Sequence, residues 1–374
     1  MNVTHNSALW ITRKRGPFAV DSAPMPEPRT GEIVVQTRAI AVNPFERLIQ
    51  TVGDLITPWI RYPAIVGTDV AGEVVALGSG VTRFAIGDRV IGFAAGAEKG
   101  HRSAEGAFQS YVVLLEHMTS PVPASIPLEA ASALPLAICT AAAGLFESDK
   151  LAMSPPSETP ARKNETLLVW GGSTSVGCNA IQLAVAAGYD VVATASPANH
   201  AYLKKLGARA VIDRCDPYAT ASVIGAMRGR RTCGAIAIGS GSARACIDAL
   251  AAASDGRRFV ALATPPVSFD DVPAGAGRWR KLVPVLARIV LDNLGLMLRA
   301  RQRGVRTKFI WGGSPVGNDI GPMIFEHYLP AALATGRYIP APDVEVAGDG
   351  LTAIPGALER QRRGVSCLKL VVRI

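Results

Sequence analysis

LLVWGGSTSVGCNAIQLAVAAG, residues 167–188, is the stretch whose reading decides the fold. Apolar residues run into Gly171-Gly172, and three hydroxyl residues follow. From Val176 the apolar positions recur at helical spacing up to Gly188, a C-cap residue. A strand that enters a helix through a glycine turn presents backbone N–H groups and the positive end of a helix to a phosphate. Gly171 and Gly172 permit the tight turn, and Gly177 allows close helix–strand packing. The middle glycine of the G-x-G-x-x-G pattern is replaced by Thr174. Backbone groups and the hydroxyls of Ser173, Thr174 and Ser175 are left to hold a pyrophosphate. Lying between a good strand and a good helix, Gly172 to Gly177 reads as a dinucleotide site, against the alternative of a turn that binds nothing.

Working outward, strands and helices alternate from 166 onward. DVVATA (190–195) is a strand, 199–206 is a helix closed by Gly207, and 210–212, 235–238, 259–263 and 308–311 are further strand candidates. Such alternation predicts a parallel sheet covered on both faces, hence an α/β fold. Residues 128–146 read as helix, and SPPSETPARKN (154–164) as an exposed connection. The first 130 or so residues differ. They carry short strands at 32–41, within 66–80, at 89–93 and at 108–115, separated by turns, as in a small barrel or sandwich. The tail returns to proline, glycine and valine and ends in LKLVVRI (368–374), a strand that completes a sheet, that of the first domain being the natural partner. The expected partition is one domain from 1–135 with 338–374, and a nucleotide-binding domain over 136–337.

A cofactor with a free ribose 2′-hydroxyl usually finds Asp or Glu at the end of the second strand. Residues 194–200 are TASPANH, with no acid. Ser196 and Asn199 can donate to a 2′-phosphate, and Lys204 and Lys205 follow. The expectation is therefore NADPH rather than NADH. The plainer alternative is that Ser196 caps the next helix.

Composition bounds the rest. The 374 residues are 49% hydrophobic and 18% charged, enough for about two domains and too apolar for a disordered chain. The six cysteines, at 139, 178, 215, 233, 246 and 367, form no CxxC, so a reduced, cytoplasmic chain is expected. The net charge is +9, but its runs are short (13–15, 228–231, 360–363) and aromatics are only 6%, without a basic–aromatic strip. Nucleic acid is not expected as a partner. Solvated basic faces are the main reading, with an anionic cofactor or acyl-carrier substrate as the other. Residues 1–10 lack the apolar core of a signal peptide. The most apolar stretches, 130–146 and 282–298, are interrupted by Pro135 and by Pro284, Arg288, Asp292 and Asn293, so no membrane span is expected.

VGTDVAGEVVALGSGVTRFAIGDRVIGF (66–93), the glycine loop and SPAN (196–199) resemble the medium-chain dehydrogenase/reductase superfamily over essentially the whole chain. GPMIFEHYLPAALATGRY (321–338) and RRGVSCLKLVV (362–372) resemble the fungal trans-acting enoyl reductases that serve polyketide synthases, and proteins labelled zinc-type alcohol dehydrogenases without being so. The resemblance implies a GroES-like catalytic domain, made from the N-terminal part and the tail, and a Rossmann domain between them. Zinc members carry a Cys near Asn43-Pro44, a Gly-His-Glu near Gly67-Thr68-Asp69, and four cysteines near 94–106. This chain has none of these, and His101 and His117 alone do not make a catalytic site of three protein ligands. No metal is expected.

By the same resemblance, Asn43, Pro44, Phe45 and Glu46 border the nicotinamide, and Ser173 to Val176 hold the phosphates. Leu262, Ala263, Val365 and Ser366 would line the cofactor. Leu134, Pro135 and Thr140 would line the substrate channel, against the alternative of plain helix core. Two residues depart from the pattern. Leu48 stands where the family often has a lysine, which leaves the proton donor unassigned. Arg214 stands where a tyrosine often meets the 2′-phosphate, a task a bidentate guanidinium can do. The expected activity is zinc-free, NADPH-dependent reduction of an activated double bond of a small molecule or acyl thioester. A broad quinone or alkenal reductase, an NADPH-binding protein with little turnover, and a subunit that docks on a synthase are the alternatives. Monomer and homodimer are both open.

Overall fold

In a computed structural model the described residues are 5–265, 267–269 and 271–374, so the first four residues of the leader reading at 1–10 lie outside them. The chain divides into two units. One comprises 1–136, 269–281 and 321–374, and the other 137–268 and 282–320. The whole is mixed α/β.

The second unit is built on a parallel sheet. Its strands run Ala210–Asp213, Asp190–Ala195, Glu165–Trp170, Arg231–Ala237, Phe259–Leu262 and Arg306–Phe309, with Asp255–Gly256 pairing off this path. In chain order this is third, second, first, fourth, fifth, sixth. It is the doubly wound order, which reverses beside the strand that leads into the glycine turn. Leu168, Val192, Ala235 and Val260 from the strands pack with Ile247, Leu250 and Leu296 from helices.

The expected element at 235–238 begins earlier, at Arg231. A register shift between Thr232 and Gly234, with Gly234 at φ +118°, breaks the apolar pattern that marked its start. The expected 308–311 strand lies two residues earlier. Arg278–Gln302 is one helix that runs through Pro284, a residue that interrupts the apolar pattern without ending the element.

In the first unit, Glu32–Ala41 is the middle of a mainly antiparallel sheet. Its neighbours in order are Asp343–Asp349, Leu368–Arg373, Glu32–Ala41, Asp69–Leu77, Arg89–Phe93 and Thr119–Pro121, and Tyr111–Leu115 also pairs with Glu32–Ala41. The tail strand joins this sheet, with Val371 opposite Ala41 and Val372 opposite Ile40. A smaller sheet holds Phe18–Ala23, Asn6–Ile11 and Ala64–Ile65. Ile33, Val35, Val70, Val90, Val112, Leu370 and Val372 form the core.

The expected helix at 128–146 is two helices, Leu128–Ala131 and Pro135–Phe146, because the residue before a proline is pushed out of helical conformation. By length and composition alone the stretch 128–146 is apolar enough to cross a membrane, but 78% of that apolar window is buried inside the fold, as in a core helix.

Candidate functional site

The glycine turn sits at the carboxyl end of Glu165–Trp170 and opens the helix Ser175–Ala186. Gly171 has φ +89°, a conformation that favours glycine. A Cβ on Gly177 would lie 2.3 Å from the Gly171 carbonyl oxygen, so the helix start packs directly on the turn. The Thr174 hydroxyl donates to the Gly171 carbonyl at 2.8 Å and accepts the Gly177 N–H at 3.0 Å. It is therefore committed within the turn as an N-cap and is not offered to a pyrophosphate. The partly exposed Ser173, Ser175 and Val176 remain, with a helix first turn that holds no acidic residue. This arrangement fits a phosphate.

Asp190–Ala195 and Ala210–Asp213 lie in parallel register with Ala195 opposite Asp213. Their ends therefore bring Ser196 beside Arg214, whose Nε donates to the Ser196 Oγ at 3.4 Å. Ser196 makes no side-chain cap to the turn 197–199, so its hydroxyl faces the arginine instead. Asn199 is half-buried in that turn, and Lys204 and Lys205 are exposed. Leu262 and Ala263 lie at the end of a neighbouring strand and are partly exposed. The carboxyl ends of these parallel strands thus carry the turn, Ser196, Arg214, Leu262 and Ala263. Thr140, in helix Pro135–Phe146, is only 9% exposed.

In the first unit, Leu134 and Pro135 are buried. Val365 and Ser366 are exposed in the loop before the tail strand, and Pro44 and Phe45 keep exposed surface. Asn43 and Glu46 do not. They belong to a closed polar cluster with Thr68, Asp69 and Lys369, in which Glu46 and Asp69 are 0% exposed and Lys369 5%. Asn43 precedes helix Pro44–Ile56 with extended backbone, and its N–H donates to the Glu46 Oε2 at 2.7 Å. The Thr68 hydroxyl donates to Glu46 Oε1 at 2.9 Å. The Asn43 amide donates to Asp69 Oδ2 at 2.9 Å. Lys369, from the tail strand, donates to the Asn43 side-chain oxygen and lies 3.0 Å from Asp69 Oδ2. The other Asp69 oxygen accepts the Leu136 N–H at 2.6 Å, which ties the cluster to the start of helix Pro135–Phe146.

Electrostatics follow from this enclosure. Burial, and secondarily the negative charge of Asp69, push the Glu46 carboxyl up to about 7, against the opposing Thr68 hydrogen bond and Lys369 charge. Near neutral pH the Glu46 carboxyl is therefore poised between its protonated and ionised forms.

Asn43, Thr68 and Asp69 are the residues that the family resemblance sets against the Cys, His and Glu of zinc members. An amide, a hydroxyl and one carboxylate offer no soft ligand, and the carboxylate already has an ammonium 3.0 Å away. A dication would compete with that ammonium for the same oxygen, so these residues do not fit zinc. Among the described residues, no group of three His, Cys, Asp or Glu side chains could hold a metal. His101 pairs with Glu105, which raises its pKa, and Arg102 joins Glu105 and Glu32 beside it.

Sequence reasoning missed Lys369. The available signal was a lysine inside the apolar run LKLVV, which can be buried only with partners. The partners come from segments 300 and more residues away.

Residues 29–124 match the alcohol dehydrogenase GroES-like domain family. The chain is 45% identical to Dehydrogenase pigH of Monascus ruber over 99% of both chains. It is 34% identical to Trans-enoyl reductase himH of Aspergillus japonicus, over 92% of this chain and 90% of that one. A solved alcohol dehydrogenase superfamily protein from Novosphingobium aromaticivorans has the same fold, with a TM-score of 0.71 at 23% identity over 99% of each chain. The chain belongs to the medium-chain dehydrogenase/reductase superfamily, whose members are oxidoreductases that bind nicotinamide cofactors.

Proposed function

We propose that this chain is a zinc-independent, NADPH-dependent reductase of an activated C=C bond, of the 2-enoyl or enone type. The observation that carries the proposal is the Lys369 ammonium lodged between Asn43 and Asp69, in a donor set unsuited to zinc. Without a Lewis acid an alcohol is a poor hydride donor. A polarised alkene accepts hydride at its β-carbon, leaves an enolate and takes up a proton. The bound nicotinamide supplies the hydride.

The chain's own part is to bind and orient. Ser173, Ser175 and Val176 would hold the phosphates, and Ser196 and Arg214 the 2′-phosphate. No acid stands at 196–200 to repel that group, which favours NADPH over NADH. Pro44, Phe45, Leu262, Ala263, Val365 and Ser366 would flank the rest. Asn43 and Glu46 act from below the surface. Glu46 fixes the Asn43 N–H and Lys369 fixes its side chain, which ties the start of helix Pro44–Ile56 to the tail strand.

The relative named as a trans-enoyl reductase supports a 2-enoyl acceptor, presented free or as a thioester by a synthase partner. The test is a screen of purified protein and NADPH against 2-enoyl thioesters, enones and quinones, following loss of NADPH absorbance. Turnover with a 2-enoyl thioester or enone is expected. Turnover with quinones alone would replace this reading by a quinone reductase. Saturable NADPH binding without any turnover would replace it by a binding protein.

A further inference from the structure

Arg278 is unlike any other buried cation described in the chain. It opens the helix Arg278–Gln302 after Gly277, which has φ +77°, and is only 4% exposed. Its Nη2 donates to Asp54 Oδ1 at 2.7 Å. Its Nε and Nη1 are buried and have no hydrogen-bond partner. Buried polar groups are nearly always paired, and an unpaired guanidinium donor is among the costlier ones to leave.

Asp54 is shared, because its other oxygen lies 3.4 Å from Arg15 Nη1. Tyr62, beside Asp54, has its pKa raised by burial and by that carboxylate, so it stays neutral. The first turn of the helix holds Arg278, Arg280 and Lys281 and no acid, the reverse of what the helix dipole favours. Asp54 thus meets two guanidinium groups, and among the described residues the Nε and Nη1 of Arg278 have no hydrogen-bond partner.

We infer that Arg278 is the centre of an oxyanion site in the first unit, taking a phosphate or carboxylate group on its Nε and Nη1 edges. Planar guanidinium donors suit both oxyanions. Trp279 lies against the guanidinium, with its ring centroid 5.1 Å from the Arg278 Cζ, and is 63% exposed. An oxyanion there satisfies the free donors and opposes the cationic helix start.

The test uses the full chain, with inorganic phosphate and acetate as probes and ionic strength held constant with chloride. Phosphate or acetate should raise the melting temperature of the wild type saturably. Arg278→Gln should lose the response. Asp54→Asn, which removes the competing carboxylate, should bind the probe several-fold more tightly, and it decides the matter even where Arg278→Gln folds poorly. Phosphate against acetate separates the two oxyanions. Repeating the titration at saturating NADPH separates sources, since loss of the phosphate response would make a cofactor phosphate the occupant and persistence a separate ligand. Equal responses in wild type and Arg278→Gln would overturn the site. So would the absence of any saturable response, or weaker binding in Asp54→Asn.

Discussion

Replacing Glu46 by glutamine tests the buried cluster through the pH dependence of stability. The Glu46 carboxyl is raised from 4.5 to about 7 in the folded protein, chiefly by burial. In the unfolded chain it titrates near the ordinary value. Between these two values the folded state holds a proton that the unfolded state has released, so stability falls as pH rises from about 4.5 to about 7. The difference is about 2.5 in pKa, which at about 1.36 kcal/mol for each unit comes to about 3 kcal/mol. The contribution is fully present below the unfolded pKa and gone above the folded one. A glutamine side chain cannot ionise, so Glu46→Gln should lose this slope, and the wild type should lose about 3 kcal/mol relative to the variant between the acid and the alkaline end. The measurement is urea unfolding at a series of pH values from 4.5 to 8, followed by tryptophan fluorescence. The quantity compared is the wild-type free energy minus that of the variant, which cancels the other titrating groups. A difference that does not change across this range would refute the account of Glu46 as a proton-holding group.

Three further outcomes are expected. Lys369→Met leaves the Asp69 carboxylate buried without its cation and should destabilise the chain by about 3–5 kcal/mol, with Asp69→Asn in the same chain recovering much of the loss, read by denaturant unfolding. Gly177→Ala drives a Cβ to 2.3 Å from the Gly171 carbonyl oxygen and should lower the melting temperature while weakening NADPH binding. Ser196→Asp, placed beside Arg214, should raise the Kd for NADPH far more than that for NADH, and equal changes would remove Ser196 from the 2′-phosphate site.

The parts of the molecule legible in the sequence are those built locally. The glycine turn, its strand and its helix lie within 22 consecutive residues, 167–188, and their spacing states their geometry. Ser196 and Arg214 were each readable from position, although their contact depends on the parallel pairing of two strands. The Thr174 hydroxyl looked available because sequence does not show that a capping bond consumes it. The cluster in the first unit was legible only in part. Asn43 and Asp69 stood out as departures from the zinc pattern and Glu46 as a neighbour of the nicotinamide by resemblance, but Lys369 arrives on the last strand, 326 positions from Asn43. No window of sequence contains that meeting. Arg278 was hidden for the same reason, since Asp54 lies 224 positions away and the missing acceptors are a property of packing.

The measurement that bears most directly on the central claim is the rate of NADPH oxidation with a 2-enoyl thioester, taken before and after exhaustive treatment with a zinc chelator. The Lys369-filled cluster predicts turnover that chelation leaves unchanged, in protein that contains no stoichiometric zinc. Turnover lost on chelation and restored by zinc would contradict it.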